Sequence, residues 1–118
     1  QAPGRPVLER GGHALRMVSP DGKIKTVAGR SGKAGKADGS AEESSLNGPK
    51  HLCIDHDDNV IIADAENHLV RRYDAKTGKL STPAITGLNR PHGVTVHRDG
   101  SLYVVDSYNH RVLKVTGF

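Results

Sequence analysis

The chain has 118 residues, with 17 Lys and Arg against 13 Asp and Glu, for a net charge of +4. That surplus permits weak attraction to polyanions, but one Phe, three Tyr and no Trp leave few stacking platforms, which argues against a dedicated nucleic-acid module. A single cysteine, Cys53, excludes an intramolecular disulfide, and no apolar run reaches the ~20 residues of a transmembrane helix.

Residues 1–6 are rich in Pro and Gly and predict an extended stretch. Gln1-Ala2-Pro3-Gly4 is compatible with a mature end left by signal cleavage, hence with a secreted or periplasmic protein. Strands are predicted at about 5–9 and 13–18, a Ser-Pro-Asp-Gly turn at 19–22 and an outer strand at 23–28. Residues 30–45, RSGKAGKADGSAEESS, hold three Gly and no large apolar residue. Composition alone reads them as a flexible linker; a long surface loop is expected, with one helical turn near 41–45.

Four strands follow, near 51–55, 60–64, 69–73 and 80–86. Val60-Ile61-Ile62-Ala63 is apolar on both faces, as a strand sandwiched between two layers requires. Pro83 in the fourth segment fits an outer edge, where a missing N–H costs little. Cys53, between Leu52 and Ile54, reads as a buried, inert thiol. Three more strands are predicted near 93–97, 102–106 and 111–115.

These two groups of strands are copies. Pro49 and Pro91, Asp64 and Asp106, Asn67 and Asn109, and His68 and His110 all stand 42 positions apart, with no gap. A weaker copy begins earlier: residues 7–13 line up with 62–68 at an offset of 55, and the extra residues fall in the 30–45 loop. The identities lie at turns and caps, where backbone geometry restricts residue choice. A repeat of this length made of strands alone is the signature of a β-propeller blade. The fold class is therefore all-β: blades of four antiparallel strands in an incomplete ring. The units are an N-terminal partial blade (1–29), a Gly/Lys-rich inter-blade loop (30–45), a complete blade (46–87) and a blade lacking its outer strand (88–118).

Pro91-His92-Gly93, Arg98-Asp99-Gly100, Tyr103-Val104-Val105-Asp106 and Asn109-His110-Arg111 resemble the NHL-repeat family, as does the 46–74 copy. That copy departs at Leu69, where the family pattern has Arg. The resemblance implies a propeller and leaves function open. Closed propellers have about four to eight blades, so two open flanks are expected here. Self-association through open blade edges, or a place in a longer protein, would cover them.

Strand parity sorts the loops. Connections between blades emerge at the same end as the turns between second and third strands. That end collects Lys33, Lys36, Lys50, His51, Arg90, His92 and Tyr108, a basic face expected to bind a protein or peptide. The opposite end collects Asp57-Asp58-Asn59, Arg98-Asp99-Gly100, Pro20-Asp21-Gly22 and Lys76-Thr77-Gly78, ordinary turn chemistry. Asp64 with Asn67, and Asp106 with Asn109, are expected to bond nearby backbone N–H groups. His68 and His110 are expected to satisfy a turn or a neighbouring strand.

No cofactor is expected, and the sequence holds neither a phosphate loop before a helix nor a nucleophile elbow. Two alternatives stand beside the non-enzymatic scaffold. Pro91-His92-Gly93 resembles a strand approach of the peptidylglycine amidating lyases, which implies zinc on His92 and His51. Some NHL domains bind RNA, which implies a salt-sensitive polyanion site.

Overall fold

The computed structural model describes residues 4–30 and 32–118; the first half of the expected N-terminal stretch, residues 1–3, lies outside them. Among the described residues ten strands form three antiparallel sheets, a partial β-propeller with no closed ring. The first sheet holds β1 (Arg5–Glu9), β2 (Ala14–Val18) and β3 (Ile24–Gly29). The second holds β4 (His51–Ile54), β5 (Val60–Asp64), β6 (Leu69–Asp74) and β7 (Lys79–Ser81). The third holds β8 (Gly93–Val96), β9 (Leu102–Asp106) and β10 (Arg111–Val115). Each sheet is a meander, with neighbours in sequence paired in space.

The strand with no polar face organises the packing. All five residues of β5 are buried. Because side chains alternate across a strand, Val60 and Ile62 face the first sheet, where they pack with Leu15, Ala28, Leu46, Tyr73 and Leu80. Ile61 and Ala63 face the third, with Val70, Leu88, Val94, Leu102 and Val104. Each such aliphatic side chain contributes about 1.5–3 kcal/mol when removed from water, so the two inter-sheet layers are the core. Cys53 is half-buried beside the second layer, and burial together with the charge of Asp55 pushes its thiol up to about 11. It stays protonated and inert at neutral pH.

Two expectations change. The fourth strand of the middle sheet runs only from Lys79 to Ser81, not to residue 86. Pro83 therefore lies past the strand; with no N–H and a fixed φ it terminates the pairing instead of decorating an edge. The 30–45 loop is also not the flexible linker its composition suggests. Gly39 exchanges both backbone bonds with Leu80, at 2.9 and 2.8 Å, and so covers the edge of β7. Gly35 N–H donates to Leu46 O and Ser45 N–H to Ala37 O, and one turn closes from Ser40 to Ser44. Its small residues permit close backbone approach, and polar anchors replace the missing apolar ones.

Candidate functional site

A carboxylate at the end of each second strand organises one end of every blade. Asp64 Oδ1 accepts from Asn47 N–H (2.8 Å) and Asp106 Oδ1 from Asn89 N–H (2.7 Å). Their other oxygens accept from Asn67 and Asn109, both at 2.8 Å. These bonds tie the segment leading into each blade to the 3-10 turns Ala65–Asn67 and Ser107–Asn109.

An arginine completes each carboxylate, and it comes from different places. Arg111 lies directly opposite Asp106 across the β9–β10 pair and donates from Nε at 2.8 Å. Leu69 occupies the equivalent place opposite Asp64. Arg71, two residues along and so on the same face of β6, reaches back to Asp64 Oδ2 from Nη1 at 2.7 Å. Both side chains are fully buried. The same guanidinium donates to Ser45 O (3.0 Å), Ala37 O (2.9 Å) and Asp38 (2.9 Å), and so holds the inserted loop. In the first blade Arg16 pairs with Glu9 at 2.9 Å on the Arg71–Asp64 diagonal. Burial pushes the Asp64 carboxyl up against its donors, including Arg71. At Asp106 burial acts in the same sense, but the donors from Asn89, Asn109 and Arg111 outweigh it and hold the carboxyl below its ordinary value.

Histidines join one blade to the next. His13, His68 and His110 all have left-handed backbone, φ 56, 58 and 55. Nδ1 of His13 accepts from Gly48 N–H (2.9 Å), and Nδ1 of His68 from Arg90 N–H (3.0 Å), the same position one repeat later. Nδ1 of His51 accepts from Val94 N–H at 3.1 Å, from the innermost strand of the third sheet. A nitrogen that accepts carries no proton, so these rings hold theirs on Nε2.

Above the joints lie half-buried cations and an exposed tyrosine. Arg90 sits 4.6 Å from the centre of the Tyr108 ring, bonds the Tyr108 hydroxyl and pairs with Glu66. His92 stands 5.9 Å from the same ring. Its backbone N–H donates to Val105 O just as that of Lys50 donates to Ala63 O, both at 3.0 Å, so the two side chains leave from equivalent points. Burial, then the charges of Lys50, Arg90 and Arg10, hold His92 below the ordinary imidazole value, with Glu66 opposing. Arg10, from the turn between β1 and β2, joins this cluster without having been expected there. Its counterpart one blade later is Ala65, so the repeat alone does not mark it.

Lys33 and Lys36 are exposed on the inserted loop, whose contacts run to Gly12, Asn67 and Arg71. Among the described residues no group of three His, Cys, Asp or Glu side chains could hold a metal. With Nδ1 of His51 bound to Val94, His51 and His92 do not fit a catalytic zinc, which needs three protein ligands. No helix of the described residues is long and apolar enough to cross a membrane.

At the other end, polar side chains serve their own turns. Asp55 accepts from Asp57 and Asn59 N–H, Asp74 from Lys76 and Thr77, and Asp99 from Ser101. The bonds from Ser101 lower Asp99 to about 2.

Residues 46–73 and 88–115 each match the profile of the NHL repeat family. NHL repeat-containing protein 2 of Homo sapiens is 35% identical over 83 residues, 70% of this chain and 11% of that protein; the Gallus gallus protein is 32% identical over 84 residues, 70% of this chain and 11% of its own length. The chain thus spans about a tenth of the curated relatives it matches. A structural genomics protein of unknown function from Bacteroides thetaiotaomicron superposes with a TM-score of 0.80 at 18% identity, over 92% of this chain and 31% of that one. An auxiliary nutrient binding protein from the same organism gives 0.78 at 17%, over 92% and 33%. These likenesses show the fold.

Proposed function

We propose, from the premise that this chain carries two NHL repeats in a partial β-propeller, that it is a non-enzymatic scaffold binding a protein or peptide on its basic inter-blade face. The observation that carries the reading is the contrast between the two ends. At one end Asp55, Asp74 and Asp99 spend their carboxylates on the N–H groups of their own turns. The other presents Arg10, Lys50, Arg90, His92 and a half-exposed Tyr108 from three successive blades. Loops on a rigid frame are the usual place for binding, and a Tyr braced by an Arg suits an interface anchor.

Random dodecapeptides displayed on phage test this. Selected peptides should lose binding at least tenfold on Tyr108→Ala, a buried aromatic anchor being worth about 2 kcal/mol or more, and keep it on Asp57→Ala or Arg98→Ala. The reverse pattern would assign binding to the other end.

The reading has a second part. Val105 and Val112, 44% and 63% exposed, stand one repeat after Ala63 and Val70, which are fully buried against the third sheet. A further blade, from a second copy or a longer chain, would cover that open face and extend the ring. Concentration-dependent association that Val112→Asp removes is the mark of the second-copy route; a chain monomeric at every concentration would leave only the longer one.

A further inference from the structure

We propose that the cluster of Arg10, Lys50, Arg90 and His92 is a carboxylate-binding site, and that the ligand of this face is an acidic peptide segment. The inference rests on the binding-face reading above and narrows it to one chemistry.

Charge balance comes first. Three cations from three blades act on His92, and among the described residues one acid, Glu66, opposes them; its carboxylate is already held by Arg90. The cluster therefore carries a surplus of positive charge with no internal anion to offset it. Arg90 is fixed by Glu66 and by the Tyr108 ring, whereas Lys50 and Arg10 form no ion pair among the described residues.

His92 supplies the second observation. Its Nε2 is shielded from solvent and has no hydrogen-bond partner. A shielded polar atom left unpaired costs free energy comparable to a lost hydrogen bond, and each such atom needs a reason. A turn of the ring that brings this nitrogen out to a carboxylate oxygen seated beside Lys50 would satisfy it and neutralise the neighbouring charge in one contact. Lys50 and His92, leaving equivalent points of adjacent innermost strands, form the two sides of such a seat.

A nucleic acid suits the site less well. Tyr108 is the exposed aromatic of the cluster, and Arg90 already occupies one face of its ring, so at most one base could stack there. The cations form a compact cluster at the ends of three blades, without the stripe that tracks a phosphate backbone.

Binding should be linked to protons. The cations that depress His92 are offset when an anion arrives, so its pKa rises in the complex and the complex takes up protons. Affinity should then increase as pH falls through the range in which imidazole titrates.

The test is titration calorimetry of the full chain with hexaglutamate, hexaglutamine and hexalysine, repeated in two buffers of different ionisation enthalpy, with amide chemical shifts to locate the contacts. Hexaglutamate should bind and the other two should not. Shifts should cluster at Lys50, Glu66, His92 and Tyr108, and the two buffers should report proton uptake. Lys50→Ala and Arg10→Ala should each weaken binding roughly threefold to tenfold. His92→Phe, which keeps the ring shape, should abolish the proton uptake.

Equal binding of hexaglutamine, shifts at Asp57 and Arg98, or no effect of Lys50→Ala would overturn the proposal. So would single-stranded oligouridylate binding more tightly than hexaglutamate with a steep salt dependence. If hexaglutamate fails while library peptides still bind through Tyr108, the carboxylate site falls and the scaffold reading stands. If both fail, the face itself is wrong.

Discussion

Replacing Arg71 by Leu should destabilise the chain by about 3–5 kcal/mol, as breaking a buried ion pair typically does. The loss has two parts. Asp64 remains buried without its cation, and the carbonyls of Ala37 and Ser45 lose the donor that holds the inserted loop. A second substitution separates them. Leu69→Arg in the Arg71→Leu background transplants the arrangement of the next blade, where Arg111 lies directly opposite Asp106. The double variant should recover the pairing with Asp64 but not the loop contacts, and so fall between wild type and the single variant. Urea denaturation at pH 7 reads all three. An Arg71→Leu loss below 1 kcal/mol would mean that the guanidinium barely offsets its own desolvation.

Val70→Asp should destabilise at least as strongly, while Val112→Asp, the same change one repeat later, should cost less than about 0.5 kcal/mol. The two valines hold equivalent places on the third strands of their blades. Val70 is fully buried in the layer between the second and third sheets, so a carboxylate there meets apolar side chains. Val112 is 63% exposed on the outer face of the third sheet. Melting temperatures of the two variants give the contrast directly. Equal effects would mean that the repeats do not stack in the register described.

The strands and turns were readable in the residues because turn chemistry restricts them. Asp-X-Gly and Pro-X-Gly spacings limit backbone geometry, and Val60–Ala63 announces a strand covered on both sides. Side chains acting over long distances were not. Arg71 stands where no motif looks for it, since Leu69 fills the expected position, and only pairing geometry shows that the next same-face residue reaches the same carboxylate. The 30–45 loop misleads for a related reason: composition reports the absence of apolar anchors but not an arginine, 26 to 35 positions away, that binds its backbone. The basic face was partly legible, because strand parity alone brings Lys50, Arg90, His92 and Tyr108 to one end. Parity does not say which of them meet. Nor could the sequence show that His13 and His68 accept from the following blade. Their repetition signals a structural task without naming the partner.

Blade stacking through imidazole acceptors underlies both the rigid frame and the convergence of Arg10, Lys50, Arg90 and His92 from three sheets. Couplings across hydrogen bonds between ring and backbone nitrogens, measured on the uniformly ¹⁵N-labelled chain near pH 7.5, test it most directly. Couplings are predicted from Nδ1 of His13 to Gly48 N, His68 to Arg90 N and His51 to Val94 N, with each ring protonated at Nε2. Rings protonated at Nδ1, with no coupling to the following blade, would contradict the account.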